Sequence, residues 1–149
     1  MRVHEPLEPL DQPHAVGRLT ADGPWIGFMS RAGTYRLVVG LAEGIRMADA
    51  DLDLLLALAI AYFTEALDGP PPEVEATQAD LSALVARLAE GEADPRRRSL
   101  LTEALDAIDD GLAGDAVASR LGAARTPDSQ KLDPIEMLRT HGQQIAEGG

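Results

Sequence analysis

Residues 48–68 read ADADLDLLLALAIAYFTEALD, and the run inside that stretch decides the fold. From Leu54 to Phe63 every residue is apolar. A bilayer-spanning helix needs about 20 such residues, so this run is too short to cross a membrane and fits a buried helix. A helix that is apolar all round must be covered on most sides. The sequence therefore predicts a helix over about 50–67 at the centre of the molecule, with other elements packed around it. Asp49 or Asp51 is placed to cap its start, where acids also suit the helix dipole. Gly69 followed by Pro70, Pro71 and Pro72 is expected to stop it.

Three or four further helices are read on the C-terminal side. Residues 77–90 open on Thr-Gln-Ala-Asp, close to a capping box with Asp in place of Glu. Leu81, Leu84, Val85 and Leu88 follow at i, i+3, i+4 and i+7, a one-sided amphipathic pattern that Gly91 ends. Pro95 opens the next helix, with Leu100, Leu101, Ala104, Leu105 and Ile108 as its apolar face. A short helix over 115–124 uses Val117 and Leu121, and Thr126-Pro127-Asp128-Ser129 reads as a loop. Asp133-Pro134 is a strong start signal, Asp as cap and Pro at the first helical position. The helix it opens, 135–146, reads as the weakest amphipath, because Gly142 interrupts a stripe built from Ile135, Met137, Leu138 and Ile145.

On the N-terminal side, residues 25–47 read WIGFMSRAGTYRLVVGLAEGIRM and hold Trp25, Phe28 and Tyr35. Two runs, 25–29 and 34–41, flank Ser-Arg-Ala-Gly, and a third short run covers 45–47. Thr34, Tyr35, Val38 and Val39 favour strand, so the segment predicts a small antiparallel meander. Gly27 and Gly40 are expected to weaken its strands, and a helix over 31–43 is the competing reading. Before it, Pro6, Pro9, Pro13 and Pro24 exclude helix and favour extended chain. Residues 1–24 thus read as a proline-rich arm, anchored on the body or on a neighbour by Leu7, Leu10, Val16 and Leu19. The expected organisation is an arm over 1–24, one globular domain over 25–124, and a loop with a C-terminal docking helix over 125–149. The expected fold class is α+β and mostly helical, with an all-α bundle as the alternative.

Composition narrows the function. The chain has 149 residues, enough for one domain with a sizeable core. It has no cysteine, which removes disulfides, thiolate nucleophiles and cysteine metal sites. Its bases are 12 Arg and one Lys, it has no Asn, and Ala, Gly, Pro and Arg together supply 60 residues. Those residues use GC-rich codons, pointing to a bacterium or its phage and warning against reading Arg as nucleic-acid recognition. The net charge of −12 lies wholly in residues 43–115, where seventeen acids face five Arg, while 1–42 and 116–149 each balance four acids against four bases. Such a field opposes nucleic acid and anionic membranes and steers a basic partner. The N-terminus lacks the apolar stretch of a secretory signal, so a cytoplasmic location is expected.

No motif for chemistry survives inspection. The histidines are His4, His14 and His141, two of them in the arm, and no Ser sits in a G-x-S-x-G turn. The one lysine, Lys131, has no glycine loop before it, and no G-x-G-x-x-G follows a strand. Asp49, Asp51 and Asp53 mimic the start of a calcium loop, but Leu54 and Ile60 stand where Gly and Glu are required. Glu103, Asp106 and Asp110 share one helix face without the Glu-x-x-His partners of a di-iron bundle. Arg96, Arg97 and Arg98 are expected to pair locally with Glu90, Glu92 or Asp94. No cofactor and no metal are expected.

The sequence therefore points to a non-enzymatic protein–protein interaction module, a small subunit, adaptor or assembly factor of a bacterial or phage complex. Its partner is a protein, basic in one version, or a second copy of itself. The interface candidates are Leu7, Leu10, Trp25, Phe28, Tyr35, Glu103, Asp106, Asp110, Ile135 and Leu138. One alternative is an acidic decoy that occupies the basic groove of a nucleic-acid-handling protein. The other is a small carboxylate-dependent enzyme, which needs a pocket with raised carboxylate pKa values.

Overall fold

The computed structural model describes residues 8–31 and 34–148, and in it the apolar run becomes α1, Leu52–Thr64. Asp51 caps it, its carboxylate accepting from the Leu54 N–H at 3.0 Å. Every residue from Leu54 to Ala61 is buried, as an all-apolar helix requires. The helix ends sooner than the glycine and prolines imply. Glu65 turns into the left-handed region at φ 54°, and its N–H closes on Ala61 and Tyr62 carbonyls. Terminating a helix there normally favours glycine, so the stop was hidden in a glutamate.

Five more helices follow: α2 (Gln78–Gly91), α3 (Pro95–Asp109), α4 (Gly114–Ala123), α5 (Pro127–Gln130) and α6 (Pro134–Ala146). The starts of α2, α3, α4 and α6 fall within a residue of where the sequence puts them, and in three of the four a side-chain cap marks the place. Thr77 and Asp80 exchange both bonds of the capping box, and Asp94 and Asp133 cap helices that open on proline. The stretch read as a loop at 126–129 instead makes α5, since Thr126 accepts from the Ser129 N–H and Pro127 fits the first turn. Thr126 also donates from N and Oγ to Asp53 of α1, at 3.0 and 2.7 Å. Arg125, 6% exposed, donates to the Ser129 carbonyl and to the Leu132 carbonyl, fastening the link into α6.

Four strands form one antiparallel sheet in chain order: β1 (His14–Arg18), β2 (Trp25–Arg31), β3 (Thr34–Leu41) and β4 (Gly44–Asp49). The fold is α+β and mostly helical, with the sheet at the N-terminal end. One sheet face carries Ile26, Phe28, Leu37 and Val39 into the core built on α1. The opposite face carries three cross-strand rows: Trp25–Gly40–Ile45, Gly27–Val38–Met47 and Met29–Arg36–Asp49. Met29 and Val38 are buried there yet stand apart from the main core.

Several readings of the ends change. The stretch taken as an arm contributes a helical turn at Glu8–Asp11 and then β1, with Leu10, Val16 and Leu19 buried in the core. The boundary drawn after residue 24 therefore falls inside the sheet, between β1 and β2. Proline kept the segment extended, but the proline-free window 14–18 pairs with β2 across a bulge between Ala15 and Gly17. Leu7 lies outside the described residues. Gly142 is no defect in α6: a Cβ there would sit 2.8 Å from Leu19 Cδ1 and 3.2 Å from Ile26 Cδ1, so glycine lets α6 close on the sheet. Gly40 has the same role in β3, where the Trp25 indole lies across it and a Cβ would meet Cε2 at 2.0 Å.

Candidate functional site

The predicted interface residues separate by burial. Phe28, Leu10 and Leu138 are fully buried within the chain, and as core they offer nothing to a partner. Phe28 faces α1 from the middle of β2, and Leu138 anchors α6. Trp25, Tyr35 and Ile135 are half-buried. Glu103, Asp106 and Asp110 are exposed along α3 and its end. The arginine cluster beside them does not make the carboxylate pairs expected of it: Arg98 donates Nε and Nη2 to the Glu92 carbonyl, at 3.0 and 2.7 Å. The three early aspartates serve the fold and each other's neighbours. Asp51 caps, Asp53 holds Thr126, and Asp49 stands 3.7 Å from Arg36.

The sheet has two edges, and they differ. At β1, the Arg18 N–H donates to the Asp68 carbonyl, and the Ala15 carbonyl accepts from the Ala76 N–H, both at 2.8 Å. Gly17 admits this cover, because a Cβ there would sit 2.4 Å from Leu67 Cβ. The segment 67–76 thus seals one edge. At β4 there is no strand neighbour beyond β3 among the described residues. A two-residue turn joins Leu41 to Gly44, and the Ala50 N–H reaches the Tyr35 carbonyl at 3.0 Å. Antiparallel pairs alternate, so Gly44, Arg46, Ala48 and Ala50 face β3 with their backbone. Ile45, Met47 and Asp49 therefore turn their N–H and C=O groups outward.

This open edge is also apolar. Ile45 is 48% and Met47 42% exposed, on the same face as Trp25 and Val38. On the other face a groove of about 810 Å³ lies between β4 and the end of α6, lined by Arg46, Met47, Ala48, Gln144, Ile145 and Gly148. Arg46 donates Nη1 to the Ala146 carbonyl at 3.1 Å, tying β4 to α6. The register through β4 is regular, without a bulge. Sheet edges left this flat and apolar are templates for another strand. The sequence showed the run 45–47 as a short strand; its edge position and exposure come from the four-strand order and were not seen.

A second cavity, of about 690 Å³, opens at the sealed side, between the end of α1 and residues 67–78. Tyr62, Phe63, Glu65, Asp68, Glu75 and Gln78 are among its lining. The Tyr62 and Phe63 rings meet edge to face at 4.9 Å. Burial raises the Tyr62 phenol above its ordinary value, and the fields of Glu75, Asp80 and Glu65 push the same way. Neither cavity lining contains histidine, serine or lysine, and the second carries the carboxylates Glu65, Asp68 and Glu75. Among the described residues no cluster of three or more His, Cys, Asp or Glu is placed to hold a metal ion, and no helix is long and apolar enough to cross a membrane. No protein-family model, no curated protein and no solved structure matches the chain.

Proposed function

We propose that the chain is a non-enzymatic protein–protein interaction module, a small subunit, adaptor or assembly factor, and that β4 is its docking edge. One observation carries this reading: Ile45 and Met47 are the exposed apolar residues of a strand whose outward backbone groups face no other strand among the described residues. Main-chain bonds at such an edge give affinity, and side chains on alternate positions give selectivity. The test is capture from the native host with a tagged chain, comparing wild type with Ile45→Lys and Met47→Lys. A charge on an edge strand blocks strand addition at little cost to the fold. The stoichiometric partner is expected to disappear with either lysine while thermal unfolding stays unchanged; equal capture by all three chains would overturn the reading.

A second reading rests on the exposed acids Glu103, Asp106 and Asp110. In it the acidic surface meets a basic protein, and binding falls steeply with salt. Reversing all three charges would abolish that binding; indifference to the triple change would remove this reading.

A further inference from the structure

The chemistry of the guest follows from the two faces of β4, granted the docking reading above. On one face the strand presents Ile45 and Met47 beside Trp25 and Val38. On the other it presents Gly44, Arg46, Ala48 and Ala50, beside the groove under α6. Arg46 is the one charged residue of that groove's lining. Its Nη1 holds the Ala146 carbonyl, and a guanidinium has five N–H donors in all. Among the described residues the fork makes no other hydrogen bond, so donors remain for an incoming acceptor, and a carboxylate is the acceptor that its planar geometry suits best.

A second copy of the chain, paired β4 to β4, does not supply that carboxylate. Two β4 strands related by a two-fold axis must pair through the residues that face outward, 45, 47 and 49. Each such antiparallel register sets Arg46 opposite Gly44, Arg46, Ala48 or Ala50 of the other copy, depending on the offset. None is acidic, and one sets Arg46 against Arg46.

We infer that the β4 edge takes an extended segment of a different protein, in which a Glu or Asp opposite Arg46 is flanked by apolar residues opposite Ile45 and Met47. The acid enters the groove beside Ala48 and Ile145, while the flanking residues extend the apolar face. Complementarity selects the guest locally, at the one charged residue that lines the groove, and it acts against the net charge of −12 that the chain carries as a whole.

The test uses two synthetic peptides, acetyl-Thr-Ala-Val-Glu-Val-Thr-amide and its Gln counterpart. Trp25 is the single tryptophan, and its row runs through Gly40 to Ile45, so its emission reports on the edge. The Glu peptide is expected to shift that emission saturably and to bind about tenfold more tightly than the Gln peptide. Arg46→Gln is expected to erase the difference, and Arg46→Lys to keep part of it. Equal binding of the two peptides to the wild-type chain would overturn the charge assignment and leave the docking edge standing. Failure of both to bind would overturn the inference; if Met47→Lys still abolished capture from the host, the docking reading would survive it. A dimer in sedimentation, dispersed by Met47→Lys, would make the guest a second copy and overturn the inference as well.

Discussion

The two edges of the sheet solve one problem in opposite ways. A terminal strand exposes a row of N–H and C=O groups, and proteins normally blunt such a row with bulges, charge or cover. β1 has the bulge and the cover: the register slips between Ala15 and Gly17, and residues 67–76 return from α1 to bond Ala15 and Arg18. Arg18 adds a side-chain bond from Nε to the Gly69 carbonyl at 3.0 Å. Among the described residues β4 has neither a bulge nor a strand covering it, and it adds exposed Ile45 and Met47. The lesson is that the edge left open is a matter of long-range packing rather than of strand composition. β1, with its glycine and histidine, looks the poorer strand, yet it is the sealed one.

The largest effect is expected where the seal is tightest. Any side chain at Gly17 enters the space of Leu67 Cβ and the Asp68 carbonyl, 2.4 and 2.9 Å from an ideal Cβ. Gly17→Val should cost about 3 kcal/mol, since overpacking of this kind moves backbone as well as side chains. Urea unfolding measures it, and a cost under half that size would mean that the segment 67–76 yields easily. Next comes the cap that anchors the far end of the seal. Thr77 accepts from the Asp80 N–H, so Thr77→Ala should lose about 1 kcal/mol in the same assay.

The sealed side should also respond to alkali. The folded Tyr62 phenol titrates above the ordinary value of 10.0, chiefly through burial. Above pH 10 the unfolded chain loses that proton first, so the unfolded state binds fewer protons and stability falls as pH rises toward the folded pKa. Below pH 10 both states are protonated and the contribution is constant. Tyr62→Phe is expected to flatten the alkaline part of the stability curve and to leave the neutral part in place. The smallest change in stability belongs to the open edge: Ile45→Lys and Met47→Lys should shift unfolding by no more than about 0.5 kcal/mol. A large destabilisation by either would show that these side chains serve the fold.

What the sequence revealed was local. The run Leu54–Phe63, the Thr77–Asp80 box, the Pro95 opening and the Asp133–Pro134 start are each read from neighbouring residues, so residue order alone exposes them. What it concealed depends on distant partners. Residues 1–24 read as an arm anchored by Leu10, Val16 and Leu19, because the backbone bonds that make 14–18 a strand edge reach Asp68 and Ala76, fifty or more residues away. Gly142 read as a break because the residues it admits, Leu19 just after β1 and Ile26 in β2, are more than a hundred residues away in the chain. The candidate site was half legible for the same reason. Trp25 was recognised as an unusual aromatic, whereas Ile45, Arg46 and Met47 gain their meaning only from being last in the sheet. Phe28 and Leu138 stood among the interface candidates because nothing local distinguishes a buried apolar residue from an exposed one.

Amide hydrogen exchange on the free chain tests the contrast most directly. The Arg18 and Ala76 N–H groups, bonded across the sealed edge, should be protected well beyond the rates of an open strand. The Ile45 and Met47 N–H groups should exchange close to unprotected rates. Protection of Ile45 and Met47 equal to that of Arg18 and Ala76 would contradict the account, because the β4 edge would then already be covered and could not receive a guest.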